Sequence, residues 1–69
     1  MISLAEIEER YEHIMHSLKG KHRNRALAQL MTIMEQEYKI PTVHDPEWES
    51  KNKTVIAMYR KISISQTKV

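Results

Sequence analysis

The chain has 69 residues, with 11 Lys or Arg residues against 9 Asp or Glu residues and a formal net charge of +2. Cysteine is absent, which excludes disulfides and thiolate metal sites and agrees with a reducing compartment. No segment approaches the ~18 apolar residues that span a membrane, and the acidic N-terminal stretch lacks a signal-peptide core. We therefore expect a single cytoplasmic domain, residues 1–69, with no membrane contact. A charge this balanced does not by itself indicate nucleic-acid binding.

The first predicted helix has the clearest local signals. Ser3 precedes Glu6 by three residues, which is the spacing of a capping box, and Ile2 and Ile7 fit a hydrophobic staple. An apolar stripe then repeats at helical spacing: Leu4, Ile7, Tyr11, Ile14, Met15 and Leu18. Gly20 follows this stripe, at a position where a positive φ favours glycine.

The second predicted helix begins near Asn24, a good N-cap. It ends where Ile40 precedes Pro41, because the residue before proline avoids the α region. Its apolar set is broad: Ala26, Leu27, Leu30, Met31, Ile33, Met34 and Tyr38. A wide apolar face indicates contact with more than one neighbour.

The third predicted helix follows Asp45, Pro46 and Glu47, which have the pattern of an N-cap, an N1 proline and an acidic first turn. Its apolar stripe is Trp48, Val55, Met58, Tyr59 and Ile62. Asn52 falls on this stripe and interrupts it. That position fits either a polar contact that sets the register of a subunit interface or a helix rotated toward solvent.

These elements predict an all-α fold, a small antiparallel three-helix bundle with short connections. The helices are expected at about 4–19, 24–39 and 46–62, and residues 63–69 are expected to be a frayed tail. A chain this short buries only ~60% of the surface that its unfolded form exposes, and it has no disulfide to compensate. We therefore predict a homodimer. In the alternative arrangement, a helical hairpin and a third helix are completed only by dimerisation.

The stretch SLKGKHRNRAL, residues 17–27, carries concentrated positive charge. In an antiparallel bundle it lies at one pole, the third helix ends there too, and most acidic residues lie at the other pole. The second helix then carries arginines near its positive N-terminus and glutamates near its negative C-terminus, against its own dipole. We predict that the basic pole binds an acidic surface of another protein. Its predicted residues are Lys19, Lys21, Arg23, Arg25, Arg60 and Lys61.

Nucleic-acid binding is the competing interpretation, because lysines and arginines at a helix N-terminus also suit phosphate. A helix-turn-helix would place the polar segment 49–54 against bases. The six-residue linker with its proline argues against that motif, which has a three- or four-residue turn. The basic stretch also lacks the interleaved aromatic residues that stack on single strands.

Signals for catalysis are weak, since the sequence has no cysteine nucleophile, glycine-rich phosphate loop or serine elbow. We therefore predict a non-enzymatic protein without cofactors. Glu9, His13 and His16 share a helix face at a spacing that suits metal ligands, but that face is opposite the apolar stripe, and we interpret them as surface residues. We interpret four methionines as core residues rather than an adaptable binding groove: Met15, Met31, Met34 and Met58.

Overall fold

The structure of the protein is a computed structural model, which describes residues 2–66. Four α-helices make up most of that part of the chain: α1 (Leu4–Ser17), α2 (Gly20–Tyr38), α3 (Pro46–Lys51) and α4 (Lys53–Ser65). Residues 2–66 contain no strand, so the all-α prediction is confirmed. The three-helix description is not, because the third predicted helix is divided in two.

The start of α1 follows the local signals in the sequence. The Ser3 hydroxyl oxygen accepts a hydrogen bond from the Glu6 backbone N–H at 3.2 Å, and Ile2 and Ile7 are both buried. The predicted cap and the apolar pair that accompanies it are confirmed. The helix ends at Ser17, two residues before its predicted end.

The connection between α1 and α2 consists of Leu18 and Lys19 alone. Both residues are extended, and Gly20 then takes a φ of +58° as the first residue of α2. The predicted start of the second helix near Asn24 is therefore wrong. Because glycine adopts a positive φ at little cost, the chain reverses within two residues, and most of the basic stretch is helical.

The C-terminal end of α2 is hydrogen-bonded to the segment that precedes α1. Lys39 ends the helix in the left-handed conformation, with φ 52° and ψ 48°, and the Ile40 N–H donates to the Glu35 carbonyl at 3.3 Å. The Tyr38 hydroxyl donates to the Ile2 carbonyl at 2.9 Å. The end of α2 and the start of α1 therefore lie together, and the two helices run antiparallel.

The third predicted helix begins as expected and then breaks. The Asp45 carboxylate accepts from the Trp48 N–H at 3.1 Å, and Pro46 is in the first turn. Asn52 ends α3, and its side-chain amide donates to the Trp48 carbonyl at 2.8 Å. The Asn52 side chain thus replaces a backbone hydrogen bond at the break between two helices. Its predicted contact at a subunit interface stays a prediction.

One apolar core joins the helices, and its buried side chains are Ile2, Ile7, Tyr11, Leu27, Leu30, Met34, Ile40, Val55 and Ile62. Met34 is fully buried, and Met15, Met31 and Met58 pack against this core. The interpretation of the four methionines as core residues is confirmed. Because α2 contacts both α1 and α4, two neighbours within the same chain cover much of its wide apolar face.

The last turn of α4 is fixed to both other long helices. The hydroxyls of Tyr11 and Ser65 are 2.6 Å apart, and the Gln66 side-chain amide donates to the Asn24 carbonyl at 3.3 Å. The predicted fraying is therefore wrong for the first three residues of the tail, which are helical. Residues 67–69 lie outside the part of the chain that the structure describes.

Candidate interaction surfaces

Arg23 belongs to the predicted basic pole, but the structure uses it to hold the hairpin together. Its half-buried guanidinium donates to the Leu18 carbonyl from Nε and to the Met15 carbonyl from Nη2, both at 2.9 Å. A cation at the C-terminus of α1 is favourable for that helix dipole. Arg23 still lies near the positive N-terminus of α2, but its charge also stabilises the C-terminal end of the neighbouring helix.

Arg60 and Lys61 also have partners within the chain. The Arg60 guanidinium forms an ion pair with the Glu49 carboxylate of α3. The Lys61 ammonium lies 3.9 Å from the Glu8 carboxylate and 4.9 Å from the centre of the Tyr11 ring. The six predicted residues of the basic pole therefore do not form one cluster of unpaired cations.

Three of the six, Lys19, Lys21 and Arg25, are exposed and form no ion pair or hydrogen bond through their side chains within residues 2–66. We call these three residues the basic patch. They lie at the N-terminus of α2, which has no side-chain cap and no acidic residue in its first turn. The positive end of the helix dipole adds to their charge.

Several carboxylates of the predicted acidic pole are also paired. Glu49 contacts both His44, with Nδ1 and Oε2 separated by 3.0 Å, and Arg60. Glu47 pairs with Lys51 at 3.4 Å. Exposed pairs of this kind contribute little stability individually, about 0–1 kcal/mol. They nevertheless reduce the charge that this pole presents to a partner.

Tyr59 makes a contact that its place on the apolar stripe does not predict. Its hydroxyl donates to the Glu35 carboxylate at 2.5 Å. Partial burial, this hydrogen bond and the negative charge of Glu35 together raise the pKa of Tyr59 to about 12. This hydrogen bond connects α4 to α2. It also gives Glu35 a hydrogen-bond donor near the negative C-terminal end of α2.

A second surface lies between α1 and α2 and is lined by these two helices alone. It is a groove of about 360 Å³ with an apolar floor made by Ile14, Ala26, Leu30 and Ile33. Its polar lining consists of Glu9, Arg10, His13 and Gln29. We call this surface the hairpin groove. The hairpin groove was not predicted from the sequence. Ala26 and Ile33, at the edge of the main apolar stripe of α2, are the residues that indicated it.

The polar segment 49–54 does not form a continuous recognition helix. It spans the end of α3, the break at Asn52 and the start of α4. The Asn52 amide is hydrogen-bonded to Trp48, and Glu49 is paired with Arg60 and His44. These contacts occupy two of the polar groups that base recognition would use.

Within residues 2–66, no group of three or more His, Cys, Asp or Glu side chains is placed to hold a metal ion. His16, one of the three residues with metal-ligand spacing, has its Nδ1 at 2.7 Å from the Glu12 carbonyl oxygen. Over the same part of the chain, no helix combines the length and the apolar character needed to cross a membrane.

The fold and these surfaces define a small all-helical protein with an exposed basic patch and an apolar groove. Comparison with known proteins gives no match, whether with family models, with curated protein sequences or with solved structures.

Proposed function

We propose that this chain is a small non-enzymatic protein of the cytoplasm that binds another protein, with the basic patch contacting an acidic surface of that partner. One observation supports this most directly. Lys19, Lys21 and Arg25 are exposed and unpaired within the described residues, in a fold that pairs three other cations with carboxylates.

The arrangement of the basic patch favours an anionic partner. Its cations repel one another, and α2 points its positive end at them without an acidic residue in its first turn. A carboxylate-rich surface would relieve both effects. Complementary charge of this kind mainly accelerates association and selects partners, and it weakens as salt is added.

The absence of a catalytic function is also part of the proposal. No serine, threonine or cysteine lines the hairpin groove, which therefore holds no nucleophile of those types. Its carboxylate, Glu9, and its imidazole, His13, are exposed on the same helix. They do not face each other across a cavity, as a catalytic acid and base around a substrate would.

Nucleic acid is the alternative partner for the same basic patch. Three cations would neutralise about three phosphates, so affinity would fall about 40-fold between 50 and 200 mM salt. Arg23 adds little to such an interface because its guanidinium is bonded to α1. These considerations favour the protein partner over the nucleic acid.

Fluorescence anisotropy separates the two proposals. The labelled probes are an Asp- and Glu-rich peptide and a random DNA duplex, each measured at low and at near-physiological salt. The test variant is Lys21→Glu/Arg25→Glu. The matched control is Lys39→Glu/Lys53→Glu, which changes the charge equally at two exposed lysines outside the patch.

We expect the peptide to bind the wild type and the control, and the patch variant to lose that binding. DNA binding is expected to disappear at near-physiological salt. Retained DNA binding that only the patch variant loses would establish the nucleic-acid alternative. Equal behaviour of the two variants with both probes would show that the basic patch is only a solvated surface.

A further inference from the structure

We propose that the hairpin groove binds a second copy of this chain, forming a two-fold dimer in which α1 and α2 each lie antiparallel to their counterpart. This surface is different from the basic patch, and the proposal does not depend on the function proposed above. It assigns an interface to the homodimer that the short chain, which has no disulfide, predicts.

The floor of the groove is an apolar surface that the monomer leaves partly open. Leu30 is buried at its base, while Ile14 and Ile33 are half-buried and face the opening. Ala26 is small and leaves room beside them. Removing this surface from water favours association, and a groove with both small and large side chains can be filled by an identical groove.

The charges along α2 identify the occupant. His22 lies one turn before Ala26, and Glu37 lies one turn after Ile33, so these four residues share a face of the helix. Both His22 and Glu37 are exposed, with no side-chain hydrogen bond or ion pair among residues 2–66. The groove therefore has His22, a basic or hydrogen-donating residue, beyond one end and the acidic residue Glu37 beyond the other.

An antiparallel pair of α2 helices matches these ends. With the two-fold axis midway between Gln29 and Leu30, His22 faces Glu37 of the partner subunit. The same register sets Ala26 against the partner's Ile33, so that a small side chain meets a large one. A second copy is thus complementary in both charge and shape.

The other wall of the groove agrees with this register. The α1 wall runs from Glu9 to Ile14, so the same axis passes near Tyr11. Glu9 then faces His13 of the partner subunit, so an acidic side chain meets a basic or hydrogen-donating one. The side chains of Glu9 and His13 form no hydrogen bond or ion pair within the described chain, which leaves them available for this contact.

The same charges oppose a different two-fold arrangement. If the two-fold axis were parallel to the helices, α1 would face α2 of the partner subunit. The acidic end of one groove would then face the acidic end of the other groove. Glu37 would then lie near Glu6 of the partner subunit. Like charges in apposition oppose association, so the antiparallel arrangement is the one that the groove favours.

Sedimentation equilibrium at about 10–100 μM tests the interface, because dimerisation depends on concentration. We expect the wild type to show the mass of two chains at the upper end of this range. Ile33→Glu should reduce it to one chain. Ile64→Glu is the matched control, since Ile64 lies on α4, 82% exposed and outside the groove, and it should leave the dimer intact.

A charge exchange tests the register without altering the apolar floor. Glu37→Lys should raise the dimer dissociation constant about tenfold, and adding His22→Glu should restore it. These two positions are about 22 Å apart on one straight helix, so such a rescue can only occur between subunits. Far-ultraviolet circular dichroism checks that every variant is folded.

A wild type that remains one chain throughout the range would overturn the proposal. So would a dimer that Ile64→Glu breaks and Ile33→Glu does not. If the double variant dimerises no better than Glu37→Lys alone, the antiparallel register is wrong.

Discussion

The guanidinium of Arg23, on α2, donates to the backbone carbonyl of Leu18 at 2.9 Å and so closes the C-terminal end of α1. One cation of the basic stretch therefore satisfies backbone groups that a helix end would otherwise leave to water. The stretch has two roles in the structure. Arg23 holds two helices together, and the basic patch around it is left for solvent or a partner.

Replacing Arg23 by methionine should lower the free energy of unfolding by about 1–3 kcal/mol, because hydrogen bonds from a charged donor contribute more than neutral ones. Urea denaturation measures the change. Arg25→Met is the control, since Arg25 is exposed and unpaired among residues 2–66, and it should stay within about 0.5 kcal/mol of the wild type. Equal effects at both positions would contradict a structural role for Arg23.

Replacing Asp45 by alanine should cost about 0.5–2 kcal/mol, because the α3 N-cap loses the acceptor for the Trp48 N–H. Asp45→Asn keeps a side-chain oxygen at this position and should cost less. The free energies of unfolding from urea titrations of the two variants give the comparison. An alanine variant as stable as the asparagine variant would mean that the cap contributes nothing.

Replacing Lys39 by glycine should stabilise the protein by about 1 kcal/mol relative to Lys39→Ala, because the residue has a φ of 52° at the end of α2. Alanine removes the same long side chain but retains the cost of the left-handed conformation, so the pair isolates the backbone effect. Thermal unfolding of both variants is the measurement. A glycine variant less stable than the alanine variant would show that chain entropy dominates here.

Tyr59 makes stability depend on pH in the alkaline range. Its pKa is about 12 in the folded protein and about 10 in an unfolded chain, so between these values the native state holds a proton that the unfolded state releases. This contribution is fully present below pH 10 and declines as the pH rises toward 12. Tyr59→Phe should therefore be less stable than the wild type below pH 10, with the difference shrinking above it.

Urea denaturation at a series of fixed pH values from 8 to 12 measures that difference. Glu35→Gln keeps an acceptor for the Tyr59 hydroxyl but removes the negative charge, so it should narrow the pH window in which the wild type loses stability. A constant difference between wild type and Tyr59→Phe across the whole series would argue against the raised pKa.

The features that sequence reasoning predicted are those set by near neighbours in the chain. Ser3 and Asp45 each cap a helix by bonding a backbone group three residues later, and the core stripes follow from the spacing of apolar residues within a helix. Such signals depend on a few consecutive residues. They identify helices well even before the packing of those helices is known.

The features that sequence reasoning missed depend on where separate helices meet. Arg23 reaches a carbonyl eight residues earlier, Tyr59 reaches Glu35 across 24 residues, and Arg60 reaches Glu49 across a helix break. Composition and periodicity do not determine which charged side chains become neighbours in space. The predicted basic pole was therefore too large, since sequence position alone could not separate its paired cations from its exposed ones.

The two-residue connection between α1 and α2 also bears on how quickly each part of the fold forms. Closing so short a loop costs little chain entropy, whereas the contact between Tyr11 and Ser65 joins residues 54 positions apart. The hairpin is therefore expected to be formed in the transition state for folding, with α4 docking afterwards. Truncating Leu27, at the centre of the hairpin, would then slow refolding, while truncating Ile62 would mainly accelerate unfolding. The lifetime of the native state would thus be governed by the release of α4 rather than by the helices that form first.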